Sequence, residues 1–166
     1  MIGLIQIILG DKGTGKTKRL IDLANESLKN EHGDIIFIDD DKRYMYDLRH
    51  EIRFVDASEY PVGKKATATE MLGFICGMLS VNFDITLIVM DAFMKLIRTP
   101  LADPEMEDFF MKLELLSEAH RCNFLLSVSI EKFLNFGINI SSHHFHFCQS
   151  LNLINHISPP AVGRNP

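Results

Sequence analysis

The chain contains no tryptophan, and phenylalanine and tyrosine supply all of its 9% aromatic content. It has three cysteines among 166 residues. Cys76, Cys122 and Cys148 are far apart and form no C-x-x-C pair. A disulfide framework and a Cys-based zinc site are therefore not expected, and the thiols read as reduced and partly buried. No apolar run approaches the length of a membrane span. The first ten residues lack a basic region and a cleavage site, so they do not read as a signal peptide, and a cytoplasmic location is expected. There is no excess of basic residues either. The net charge is −5, which argues against a broad nucleic-acid surface or a polybasic membrane patch. Apolar residues make up 46% and charged residues 23%, enough for one domain with a substantial core.

The chain does have alternation. Apolar strand-like runs occur at 4–9, 35–38, 52–55, 85–90 and 124–129, separated by segments of helical spacing. In residues 16–30, Ile21, Ala24 and Leu28 share a face, and His32-Gly33 is expected to close that helix through a glycine C′ position. Residues 42–50 suit a short helix, and 61–65 a loop. The stretch Met71–Leu79 is apolar all round. Its Gly73 and Gly77 suggest close packing of a helix on the sheet. Asp103-Pro104 opens the clearest helix, with an N-cap followed by proline at the first position. The order predicts an α/β fold, a three-layer sandwich around a mostly parallel sheet. Residues 1–140 are expected to form the domain. Residues 141–157 are a candidate edge strand, and 158–166, with Pro159-Pro160, a disordered tail. If 143–149 is a strand, His144, His146 and Cys148 share one face. An edge strand with surface histidines explains them more simply than a metal site.

Between the first strand and the first helix stands Gly10-Asp11-Lys12-Gly13-Thr14-Gly15-Lys16-Thr17. This matches G-x-x-x-x-G-K-[ST], the phosphate-binding P-loop, with the required strand before it and helix after it. Its glycines allow backbone amides to converge on an anion, at a helix N-terminus that adds positive character. Gly10, Gly13, Thr14, Gly15, Lys16 and Thr17 are thus the expected phosphate-binding residues. Lys16 is suited to the β/γ-phosphates, and the Thr17 hydroxyl to Mg²⁺. The fourth strand, Thr86–Met90, ends in Asp91, an acid at a strand's C-terminal end that would hold the same ion and serve the metal rather than the fold. The implied cofactors are ATP, or another nucleoside triphosphate, and Mg²⁺.

In segment order the chain resembles the RecA-like branch of P-loop NTPases. Gly10–Thr17 is followed by Phe37-Ile38-Asp39-Asp40-Asp41, then Leu87–Asp91, then a strand ending at Ser129. The resemblance implies that Asp41, in place of a longer Glu, activates water, and that Ser129 senses the γ-phosphate, with Ser127 next on its face. It also implies a subunit interface or partner that contributes an arginine; Arg98 and Arg121 are the available candidates. Two positions depart from the pattern. Ala92 follows Asp91 where many such ATPases carry Glu, and Ile130 stands where RecA has Gln. The chain is also similar to small single-domain P-loop proteins of Gram-positive anaerobes, some labelled as relatives of the twitching-motility ATPase PilT. That likeness rests on Phe37–Asp39 followed by Arg43–Leu48. The expected activity is slow or partner-stimulated ATP hydrolysis. The alternatives are a small-molecule or nucleotide kinase, with Arg43, Arg49 and Arg53 on the acceptor, and a non-enzymatic switch docking a partner through residues 69–81.

Overall fold

Six strands line up in one sheet in the computed structural model, which describes residues 4–30, 32–61, 65–101, 103–129 and 152–155. In chain order they are β1 (Ile5–Gly10), β2 (Asp34–Asp39), β3 (Arg53–Asp56), β4 (Ile85–Met90), β5 (Asn123–Ser129) and β6 (Asn152–Asn155). Their spatial order is β3-β2-β4-β5-β1-β6, and every recorded pairing is parallel. The helices are α1 (Lys16–Ser27), α2 (Ala68–Val81), the single turn α3 (Phe93–Leu96) and α4 (Pro104–His120). A 3-10 helix spans Lys42–Asp47.

Alternation along the strands builds two cores. Ile5, Ile7, Ile36, Ile38, Ile88, Met90, Phe124 and Leu126 pack against α2 and α4. Ile8, Ile35, Phe37, Leu87, Val89 and Leu125 pack against Leu20, Ile21 and Ala24 of α1. Helices thus cover both faces of a parallel sheet, the three-layer arrangement that buries its apolar strands on both sides. Because every pairing is parallel, all strands run the same way and end on one side of the sheet.

Several local expectations change in three dimensions. Gly33 does not cap α1. The helix stops at Ser27, and Lys29 and Asn30 N–H groups bond back to Glu26 and Ser27 carbonyls. Gly33 is required because a Cβ there would lie 2.1 Å from the Asp84 carbonyl oxygen, where the Asp34 amide bonds that same oxygen at 2.7 Å. Gly73 and Gly77 do not pack on the sheet. Both are exposed, and a Cβ on either would meet nothing; Met71, Ile75 and Leu79 make the buried stripe instead. α2 starts with a capping box in which Thr67 and Glu70 satisfy each other's backbone amides. At α4, Asp103 caps the Glu105 amide, as expected. Cys122 is buried and Cys76 half-buried, and neither is in a disulfide. β6 lies at the sheet edge beside β1. Residues 143–149, with His144, His146 and Cys148, and the segment 158–166 lie outside the described residues. Among the described residues no helix is long and apolar enough to cross a membrane.

Candidate nucleotide site

The P-loop match begins at the last residue of β1 and runs into the first turn of α1. Gly13 and Gly15 adopt φ of 82° and 81°, left-handed conformations that cost glycine least. Gly10 is needed for a different reason, since a Cβ would lie 2.6 Å from Thr14 Oγ1. The turn is closed by Thr14, whose N–H and hydroxyl both donate to the Asp11 carbonyl, at 3.3 and 2.8 Å. Lys16 Nζ arches back over it and donates to the carbonyls of Gly10 and Asp11, at 2.8 and 2.6 Å. α1 has no side-chain N-cap and no acid in its first turn. α2 and α4 have both. The leading end of α1 therefore keeps its positive character beside the loop.

The sheet's alternation brings further polar groups to this end. Ile8, Leu125, Val89 and Phe37 face α1. Two residues on, Gly10, Ser127, Asp91 and Asp39 lie on that same face at the strands' C-terminal ends. Thr17 Oγ1 donates to Asp91 Oδ2 at 2.5 Å across 74 positions of sequence. Ser127 Oγ donates to Asp91 Oδ1 at 2.5 Å. The Ala92 amide donates to both Asp91 Oδ1 and Ser127 Oγ, each at 2.8 Å. Ala92 takes a left-handed conformation, φ 47°, which aims its amide back at the end of β4. Asp91 is 4% exposed and accepts from three donors of the chain. Ser129 is half-buried and in register with Gly10.

The acids after β2 separate sharply. Asp39 is 3% exposed. Burial, together with the charge of Asp91 on the adjoining strand, pushes its pKa up to about 7. Asp40 pairs with Lys95 at 2.7 Å. Asp41, expected to activate water, caps the 3-10 helix by accepting from the Arg43 amide at 3.0 Å. It also accepts from the Arg43 guanidinium at 2.7 and 2.5 Å. That guanidinium holds the Asp41 carboxyl below its ordinary range, which makes it a weaker proton acceptor. Asp39 and Ser127 are the site-facing groups that sequence reasoning valued too low. The signal was alternation: both stand two residues beyond a core residue of the α1 face.

A Mg²⁺ ion suits the donors present. Thr17 offers a hydroxyl and Asp91 a carboxylate at one place. Among the described residues no three His, Cys, Asp or Glu side chains form a complete metal cage. Mg²⁺ keeps several waters and is commonly held by one or two protein oxygens plus phosphates. The arginines are dispersed. Arg98 follows α3 on the P-loop side of the sheet, with Glu70 at 3.8 Å. Arg121 ends α4 just before β5, and Arg53 begins β3, both at the N-terminal ends of strands. No protein-family model matches this chain, and no curated protein matches it at a significant level.

Proposed function

We propose that the chain binds ATP, or another nucleoside triphosphate, with Mg²⁺ at Gly10–Thr17, and hydrolyses it slowly or when a partner stimulates it. The reading places it with the RecA-like P-loop NTPases, in the cytoplasm. The observation that carries it is the Thr17–Asp91 hydrogen bond. It joins the hydroxyl of the loop to the acid of a distant strand, the pairing that a nucleotide-bound Mg²⁺ requires. In this reading Lys16 exchanges the Gly10 and Asp11 carbonyls for phosphate oxygens. The loop amides and the α1 N-terminus hold the phosphates, and Ser129, in register with Gly10, stands where a terminal phosphate would be sensed. Mg²⁺, when bound, would neutralise charge on the β- and γ-phosphate oxygens. Slow turnover follows from Ala92, which brings no base, and from Asp41, which is engaged by Arg43. An arginine from a second copy or a protein partner would complete the site.

Calorimetry with ATP and ADP, with and without Mg²⁺, tests this. Lys16→Ala should weaken binding tenfold or more, on the order of 1.4 kcal/mol. Equal affinity for wild type and variant would reject the site. The kinase alternative is less well supported, because Arg53 lies at the sheet edge remote from the loop and Arg43 is taken by Asp41. A non-enzymatic switch keeps one supporting observation, the charge-free stretch Met71–Val81 with Gly73 and Gly77 open to solvent. Nucleotide-dependent change in oligomer size without phosphate release would favour it.

A further inference from the structure

The acids at the C-terminal ends of β2 and β3 are matched with cations, with one exception. Asp40 has Lys95, Asp41 has Arg43, and Asp56 has Lys42 at 3.2 Å together with the Ser58 amide and hydroxyl. Asp39 is the most buried of the four, and among the described residues no recorded ion pair includes it; Lys95 and Arg43 act on it only from a distance. Its Oδ1 accepts the Asp40 amide at 2.7 Å. No donor to Oδ2 is recorded. Oδ2 is not among the buried polar atoms that lack a partner, and a carboxyl so placed either takes up a proton or serves a ligand.

Its neighbour identifies that ligand. The Asp91 amide bonds the Ile38 carbonyl at 3.0 Å, and Ile38 is in register with Met90. Asp39 and Asp91 therefore stand side by side on adjacent strands and face α1. Both Asp91 oxygens already accept from Thr17, Ser127 and Ala92. Asp39 Oδ2 is the one carboxylate oxygen of the pair without a recorded donor.

Resting on the nucleotide-binding reading, we propose that Asp39 is a positioning residue for the divalent cation, accepting hydrogen bonds from its water shell beside Thr17 and Asp91. Mg²⁺ retains waters that donate strongly to carboxylates, so a second acid is useful without direct ligation. The ion would bring a positive charge closer to Asp39 than Lys95 or Arg43 does. Asp41, paired with Arg43, would stay out of this shell.

The test is calorimetric ATP affinity as a function of Mg²⁺, with an EDTA arm. Asp39→Asn keeps the shape and an acceptor for the Asp40 amide. It should raise the Mg²⁺ concentration for half-maximal gain in ATP affinity about tenfold and leave affinity in EDTA within about twofold of wild type. Asp56→Asn, on the next strand and paired with Lys42, should leave that Mg²⁺ midpoint unchanged. Asp39→Ser, which retains a small acceptor, replaces Asp39→Asn should the latter fail to fold. An unchanged Mg²⁺ midpoint in the Asp39 variant overturns the proposal while the nucleotide reading stands. Wild type that binds no ATP, or binds it independently of Lys16, overturns the nucleotide reading and this one with it.

Discussion

Asp39 and Asp41 are two residues apart and have opposite electrostatics. Asp41 is held ionised by Arg43, whereas Asp39 is pushed up to about 7 by burial and by Asp91. The consequence for stability has a definite sign. A carboxyl whose folded pKa exceeds its ordinary 3.8 binds a proton more readily when folded. Its contribution is fully present below the unfolded value and is lost as pH rises through the folded one. The ligand-free protein should therefore lose thermal stability between about pH 4 and pH 8 from this group, and Asp39→Asn should flatten that part of the profile. Thermal unfolding across a pH series checks it; an equal slope in the variant would refute the assignment. Asp91→Asn is expected to cost about 1–3 kcal/mol without ligand, because three donors then face a weaker acceptor. Urea denaturation measures that cost. Nucleotide titration with and without Mg²⁺ measures any separate metal role.

Elements were legible where local chemistry specifies them. β4, and α4 with its Asp103 cap and Pro104, were read within a residue of where they form, since alternation and caps act over a few positions. The capping box of α2 is also written in the chain, as Thr67-x-x-Glu70, ahead of a uniformly apolar stretch that carries no period of its own. Thr67→Ala should cost about 1 kcal/mol through that cap. Gly33 was misread for a tertiary reason. A glycine after a helix suggests a C-cap, while here it admits the Asp84 carbonyl from another connection. Gly33→Ala should destabilise by about 1–3 kcal/mol through overpacking against backbone. A cost near zero in chemical denaturation would mean that the β2–β4 contact relaxes freely. Gly73 and Gly77 escaped a local reading similarly, since spacing alone did not say which side of α2 faces the sheet.

At the scale of the molecule, the sheet acts as a frame that ends β1, β5, β4 and β2 beside one another, so that the loop, Ser127, Asp91 and Asp39 meet. A ligand bridging the loop and these strand ends should stabilise the whole domain. ATP with Mg²⁺ at a hundredfold excess over its dissociation constant should add about 2.7 kcal/mol, or about 5–10 °C in melting temperature for a chain of this size. Lys16→Ala should lose most of that gain. A shift of the same size in the variant would place ATP elsewhere. The sequence by itself determined the α/β class, the glycine loop and the acid at the end of β4. Each depends on periodicity or on residues adjacent in the chain. The tertiary structure decided which acids stand beside the loop. Strand order and register put Asp39 beside Asp91, while Arg43 draws Asp41 to itself. Asp39 and Asp91 end different strands, which no local pattern pairs, whereas Asp41 and Arg43 stand two positions apart at one 3-10 turn.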